Sequence, residues 1–247
     1  MNRRTRRGFT IIEVMLFLGV SGLLIVGLLA SIWGGITQQR YRDAVVSFQE
    51  TLRQPYGSLV AIQNQRPANS DGCAGFRGTS DCLLLGKFLH VTSQNVAGSG
   101  ASIVTMSDVI GALPTVDPGS NYLAILRAYQ PQIVTANRST SDMQWQTQMA
   151  WPTADPMNGF AMLVLRSPVT GQIHTFTWKE NATPTQAVLS SAAGPINSTN
   201  ENASPVICVD PNGMNVPRSG IKIQPRASTA AAVGQIANEL VAAAEKC

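Results

Sequence analysis

Apolar and polar residues follow two different patterns in the first quarter of this chain. Residues 14–39 carry no charged side chain and are mostly apolar. Beyond them, apolar residues recur at spacings of four, three and four, at Tyr41, Val45, Phe48 and Leu52. Such spacing puts these side chains on one face of a helix. The patterns predict one long helix over residues 9–57, apolar all round in its first half and amphipathic in its second. Pro55 and Gly57 are expected to end it.

The uncharged segment is long enough to cross a membrane. As a helix, its 26 residues would be roughly 39 Å long, whereas a bilayer core requires only about 20 residues. The sequence therefore predicts a transmembrane segment at about residues 14–36. Four arginines precede it, Arg3, Arg4, Arg6 and Arg7, and a basic flank keeps the N-terminus on the cytoplasmic side. A secretory signal peptide would have a shorter apolar core, of about 7–15 residues.

The remaining residues, 58–247, are numerous enough to form a head domain with its own core. Short apolar runs separated by turn residues predict antiparallel strands. The candidates are residues 83–91, 102–106, 122–126, 144–151, 160–166, 173–178, 206–209 and 221–224. The clearest hairpin joins 160–166 to 173–178. An exposed loop is expected over 181–204, and a terminal helix over 229–246, capped by Ser228. The predicted fold class is α+β: a long N-terminal helix packed on an antiparallel-sheet head, with a C-terminal helix.

Glu13 is the single charged residue between the arginines and Arg40. A carboxylate inside an apolar membrane segment costs about 2.5–3.5 kcal/mol on insertion scales, so such a residue is a functional hypothesis by default. The sequence around it is Gly8-Phe9-Thr10-Ile11-Ile12-Glu13-Val14, directly after the short basic start. This segment resembles the processing and methylation site of type IV pilins and type II secretion pseudopilins. The resemblance covers residues 1 to about 57.

Several site residues are implied by this resemblance. Residues 1–8 correspond to a leader that a prepilin peptidase removes between Gly8 and Phe9. Phe9 then becomes the N-terminal residue and is N-methylated. Glu13 corresponds to the glutamate that meets the N-terminal amine of a neighbouring subunit during assembly. The long helix and the extracytoplasmic head also agree with the pilin layout.

The resemblance implies a structural subunit of a filament and not an enzyme. Its partners would be other pilin subunits, the prepilin peptidase and an assembly platform in the membrane, and no cofactor would be needed. The subunit would begin in the cytoplasmic membrane and end in an extracellular pilus. The length of the head favours a minor pilin over the main repeating subunit. A pseudopilin of a secretion machine and a signal-anchored extracytoplasmic protein are the alternatives.

Charge gives no indication of a nucleic-acid partner. The chain has 18 basic and 14 acidic residues, but the predicted leader holds four of the basic ones and none of the acidic ones. The mature chain would therefore have balanced side-chain charges, which is not the basic footprint of a nucleic-acid-binding protein. The two histidines, His90 and His174, are expected to be half-exposed strand residues without an orienting carboxylate. No catalytic or metal site is predicted.

Four cysteines, Cys73, Cys82, Cys208 and Cys247, lack the close spacing of a zinc site or a Cys-x-x-Cys redox pair. Disulfides are the natural interpretation for a head outside the cytoplasm. Three pairings are possible, and four free thiols remain an alternative. The preferred pairing joins the cysteines closest in sequence, Cys73 with Cys82 and Cys208 with Cys247.

Overall fold

The computed structural model describes residues 10–60, 82–93, 100–135, 138–152, 159–180, 182–236 and 247. Helix α1, Ile11–Val60, is a single helix of 50 residues, roughly 75 Å long. Its apolar half, residues 11–36, is followed by an amphipathic half, residues 37–60. The amphipathic half buries one face against the head, with Tyr41, Ala44, Val45, Phe48, Leu52, Tyr56 and Leu59. The predicted long helix and its buried face are therefore confirmed.

The predicted end of the helix at Pro55 and Gly57 is wrong, because α1 continues to Val60. Proline at position 55 removes one backbone hydrogen bond to the preceding turn. Burial of Tyr56 and Leu59, which are 2% and 5% exposed, offsets that loss. The hydroxyl of Ser58 also donates to the Pro55 carbonyl (2.8 Å). Tertiary packing thus allows the helix to continue beyond Pro55.

The other described elements are three short helices and ten strands. In chain order they are β1 Cys82–Ser93, β2 Ser102–Ala112, α2 Tyr122–Ala128, β3 Gln132–Ile133, β4 Ser139–Asp142, β5 Gln148–Ala150, β6 Gly159–Arg166, β7 Ile173–Lys179, α3 Gln186–Ser190, α4 Ser198–Glu201, β8 Val206–Asp210, β9 Ser219–Ile223 and β10 Val233–Ile236. The first sheet has the order β3-β2-β1-β6-β7, with β4 also paired to β2. The second has the order β10-β9-β8-β5. Both are antiparallel, so the α+β class is confirmed, as is the β6–β7 hairpin.

Strand β6 is buried on both faces, which explains its uninterrupted apolar sequence. Alternate residues of a strand point to opposite faces. One set packs with α1 and the second sheet and consists of Phe160, Met162 and Val164. The other set packs with α2 and α3 and consists of Ala161, Leu163 and Leu165. The first sheet is therefore the middle layer, with α1 and the second sheet on one face and the short helices on the other.

Gly86 lies at an irregularity in β1, where the register with β2 shifts between Leu84 and Gly86. A Cβ atom at Gly86 would lie 1.9 Å from the carbonyl oxygen of Val164. Because no side chain fits at that distance, β1 can approach β6 this closely only with glycine at position 86.

Three segments predicted as strand or loop have other structures. Residues 122–126 belong to α2, whose first turn is capped by Asn121 Oδ1, which accepts from the Leu123 backbone N–H (3.0 Å). Of the strand predicted at 144–151, only residues 148–150 pair as a strand, because residues 144–146 form a tight turn in which Trp145 and Gln146 have positive φ angles. The expected exposed loop at 181–204 contains α3 and α4 instead, and its side chains Leu189 and Ile196 are fully buried.

The predicted C-terminal helix does not begin at residue 229. Ala230–Ala232 form a 3-10 segment, and Val233–Ile236 form β10 along the edge of β9. Val233 is completely buried opposite Ile223. A short alanine-rich helix is marginal by itself, whereas pairing with β9 satisfies the backbone and buries Val233. Residues 237–246 of the predicted helix lie outside the described residues.

Candidate functional site

The predicted processing and assembly residues lie at the start of α1. Gly8 and Phe9 lie outside the described residues, and Glu13 lies in the first turn of the helix. Its backbone N–H is 3.3 Å from Thr10 Oγ1, and the N–H of Val14 donates to the Thr10 carbonyl (3.2 Å). Thr10 therefore acts as the N-cap of α1. Thr10-Ile11-Ile12-Glu13 has the sequence of a capping box, in which the glutamate side chain returns to the N-cap N–H.

The apolar half of α1 has no contact with the head over most of its length. Ile11–Leu29 is long and apolar enough to cross a membrane, and none of it is buried within the chain. Its large side chains are exposed, as at Ile11 (78%), Leu23 (76%) and Leu28 (64%). A surface this apolar requires a bilayer or apolar helices around it. This part of the chain is therefore compatible with a single-pass membrane anchor.

The amphipathic half is held to the head by polar contacts as well as by its apolar face. Arg53 donates to the Val233 carbonyl through Nη2 (2.7 Å) and Nε (3.0 Å). Gln49 Nε2 donates to the same oxygen (3.2 Å). Arg53 also pairs with Glu50, at 2.9 Å, on the exposed side. Strand β10 is thus fastened to the helix directly by side chains of α1.

Two buried tyrosines, one near each end of the amphipathic half, also form hydrogen bonds with the head. The hydroxyl of Tyr41 donates to the Val209 carbonyl and accepts from the Ser219 N–H, both at 2.7 Å. The hydroxyl of Tyr56 lies 3.0 Å from Thr175 Oγ1. Burial raises the pKa of Tyr41, and it raises the pKa of Tyr56 to about 12. Both phenols are therefore neutral over the physiological pH range, as their apolar surroundings require.

A disulfide joins Cys208 in β8 to Cys247, with the two Cα atoms 5.5 Å apart. This pairing was the one preferred from the sequence, and it is confirmed. Gly220 lies opposite Cys208 on β9, where a Cβ atom would be 3.1 Å from Cys247 Sγ. Cys73 lies outside the described residues, so its pairing with Cys82 stays a prediction.

His174 belongs to a polar cluster that sequence spacing did not reveal. Its Nδ1–H donates to Glu201 Oε1 (2.8 Å), and the Tyr122 hydroxyl donates to Glu201 Oε2 (2.5 Å). The rings of Tyr122 and His174 are stacked, with centroids 4.9 Å apart. The hydrogen bond to Glu201 is the main cause that raises the pKa of Tyr122. The expectation that His174 has no orienting carboxylate is therefore wrong.

This cluster connects α2, α4 and β7, and it is largely closed to solvent. The Glu201 side chain is 4% exposed and that of His174 is 11% exposed. His90 is buried too, and its Nε2–H donates to the Glu180 carbonyl (3.1 Å). The sequence predicted that both histidines are half-exposed, and this prediction is wrong for His90 and for His174. The cluster fixes the segment around α4 against the first sheet, because a buried carboxylate requires both of its donors.

Within the described residues, no group of three or more histidine, cysteine or acidic side chains is arranged to hold a metal ion. Comparisons of the chain with protein-family models, with curated proteins and with solved structures find no match. Inferences about function therefore depend on the residues and contacts of this chain.

Proposed function

We propose that this chain is a structural subunit of a type IV pilus-like filament, a minor pilin, with no enzymatic activity of its own. The observation that carries the proposal is the division of α1 into two halves. The apolar half is exposed over Ile11–Leu29, and the amphipathic half packs beneath antiparallel sheets. The sequence 8–14 supports the same assignment, because it resembles a prepilin cleavage site. A subunit of this design rests in the membrane by its apolar half and later packs that half against its neighbours.

Cleavage between Gly8 and Phe9 creates the group that Glu13 needs. Before cleavage no amine exists at Phe9, and the carboxylate would stand in apolar surroundings without a cation. After cleavage, Phe9 carries a charged, N-methylated amine four residues before Glu13. Residues four apart lie one turn apart on the same face of a continuous helix. The carboxylate can then reach the amine of its own chain or of an adjacent subunit.

The energy of this pair is large enough to select the correct register between subunits. An ion pair at about 4 Å contributes about 4 kcal/mol at an effective dielectric constant near 20. That is comparable to the cost of about 2.5–3.5 kcal/mol for placing the carboxylate in the membrane. A neighbouring subunit displaced along the filament axis would leave the carboxylate and the amine buried without a partner of opposite charge, which is strongly unfavourable.

The proposal assigns three kinds of partner to the chain. A prepilin peptidase removes residues 1–8, a platform in the membrane extracts the mature subunit, and other pilin subunits surround the apolar half. The head lies outside the cytoplasmic membrane before assembly and on an extracellular pilus afterwards. Mass spectrometry of the mature N-terminus tests the first step. A mature chain that begins with N-methyl-Phe9 supports the proposal, whereas an intact N-terminus indicates a signal-anchored protein.

The role of Glu13 is tested by comparing Glu13→Ala with Glu13→Gln. Glutamine removes the charge but keeps a side chain that completes a capping box with Thr10, whereas alanine removes both. Charge pairing predicts that both variants are cleaved normally and enter sheared filaments poorly, as measured by immunoblot. Gly8→Val should instead block cleavage and leave the chain in the membrane with its leader. If Glu13→Gln enters filaments like wild type, Glu13 acts as a helix cap and the pairing role is wrong.

A further inference from the structure

An exposed tryptophan lies beside α1 at the membrane-facing end of the head. Trp145 is 49% exposed, and the Arg40 guanidinium carbon lies 4.8 Å from the centroid of its ring. Arg40 is the first charged residue after the uncharged segment. Tyr41, the next residue, is already buried against Val209 and Ser219. The Arg40–Trp145 pair is therefore located where the helix enters the head.

The backbone at this tryptophan is held in an unfavourable conformation. Trp145 has φ 56° and Gln146 has φ 59°, so two successive residues with side chains occupy the left-handed region. Thr147 fixes the turn, because its N–H (3.2 Å) and its hydroxyl (2.9 Å) both donate to the Gln144 carbonyl. Asn212 Nδ2 donates to the Gln146 carbonyl (3.0 Å). Several contacts thus maintain a strained backbone, and the Trp145 ring that it carries is exposed to solvent. Strain of this kind suggests a functional role for the residue.

The length of α1 gives the height of this pair above the membrane. The 26 uncharged residues between Glu13 and Arg40 span roughly 39 Å as a helix. A bilayer with its headgroups is about 40–45 Å thick. The predicted transmembrane segment ends at about residue 36, so Arg40 lies about 6 Å further along the helix, within the headgroup layer of the opposite leaflet. Trp145 is in contact with Arg40 and therefore lies at the same level.

We infer that Arg40 and Trp145 bind the phospholipid headgroups of the outer leaflet of the bilayer that α1 spans. The inference rests on the membrane insertion that the proposed function requires. The guanidinium matches a lipid phosphate in geometry and charge. The indole has an apolar body and one N–H donor, and tryptophan is enriched at membrane interfaces for this reason. Arg42, also exposed, adds a cation to the surface, and Asp43 is the exposed acid beside it.

This contact would set the orientation of the head on the membrane before assembly. A helix alone fixes the height of the head but leaves it free to tilt. Arg40 belongs to the helix and Trp145 to the head, so a lipid contact made by both resists tilting. The pair must release its lipids when the subunit is extracted into a filament.

Fluorescence quenching in the full-length chain tests the inference. The chain is reconstituted at one copy per nanodisc, with lipids that carry a nitroxide on the headgroup. Trp33→Phe is used as the background, because Trp33 lies within the uncharged segment and would itself be quenched. In this background, Trp145→Phe should remove most of the quenchable emission. Trp178→Phe is the matched control, since Trp178 packs with Phe88 on the sheet face away from α1, and it should leave the quenching unchanged.

Arg40→Gln provides a second variant that keeps the ring. It should reduce the quenching of Trp145 without changing the circular dichroism of the head. Quenching that is equal with and without Trp145, or that is unaffected by Arg40→Gln, overturns the inference. Trp145 emission that changes only when copies are crowded together would assign the surface to a second copy of the chain and would also overturn it. Resistance of the chain to alkaline extraction is measured in parallel. A chain that is extracted refutes both this inference and the proposed function, whereas an inserted chain without quenching refutes this inference alone.

Discussion

Replacing Leu52 by alanine tests whether the amphipathic half of α1 forms the core of the head. Leu52 is completely buried and lies in the cluster that joins α1 to both sheets. The substitution removes buried apolar atoms and leaves a cavity, because the helix and the two sheets cannot all move inward together. A change of this kind typically costs about 2–5 kcal/mol. For a protein of this size, the thermal midpoint should fall by about 5–15 °C.

Leu24→Ala is the matched control, because it makes the same chemical change on the same helix. Leu24 is 64% exposed and lies in the apolar half. Thermal unfolding of the full-length variants in detergent micelles, followed by near-ultraviolet circular dichroism, measures the stability of the head. Leu52→Ala should lower the midpoint and Leu24→Ala should not. Equal midpoints for the two variants would refute the conclusion that the helix supplies the core.

Two further predictions concern the stability of the head. Alkaline pH should destabilise wild type more than Tyr56→Phe. Burial raises the pKa of Tyr56 to about 12 from 10.0, so its stabilising effect is complete below about pH 10 and is lost as the pH approaches 12. Over this range the free energy of unfolding should fall by about 2–3 kcal/mol more in wild type, as urea denaturation measures. Replacing Cys208 and Cys247 together by alanine should lower the free energy of unfolding by about 4 kcal/mol, the loop-closure entropy of about 40 residues.

Each of these predictions has an outcome that contradicts it. Parallel pH curves for wild type and Tyr56→Phe would mean that the phenol ionises as easily in the folded chain as in the unfolded one. A loss well below 1 kcal/mol in the double alanine variant would mean that the disulfide does not restrain the unfolded chain. Peptide mapping of the non-reduced protein should recover Cys73 linked to Cys82, and a Cys73–Cys208 peptide would exclude that pairing.

Local patterns in the sequence determined those parts of the protein whose neighbours lie close in the chain. The long helix follows from an uncharged run and a spacing of three and four, and both are properties of a single helix. The β6–β7 hairpin follows from two apolar runs and one short turn. The proposed processing and assembly site at Gly8, Phe9 and Glu13 rests on a short motif, so it could be proposed without any knowledge of the fold.

The tertiary structure decided the elements whose stability comes from distant contacts. Helix α1 continues past Pro55 because Tyr56 is buried against the head, where its hydroxyl forms a hydrogen bond with that of Thr175, 119 residues further along the chain. Residues 233–236 form a strand because β9 offers an edge, although an alanine-rich sequence precedes them. Glu201 reaches Tyr122 and His174 only after α4 folds against the first sheet. Sequence spacing describes neighbours along the chain, whereas the energy of these contacts depends on burial that exists only after the chain has folded.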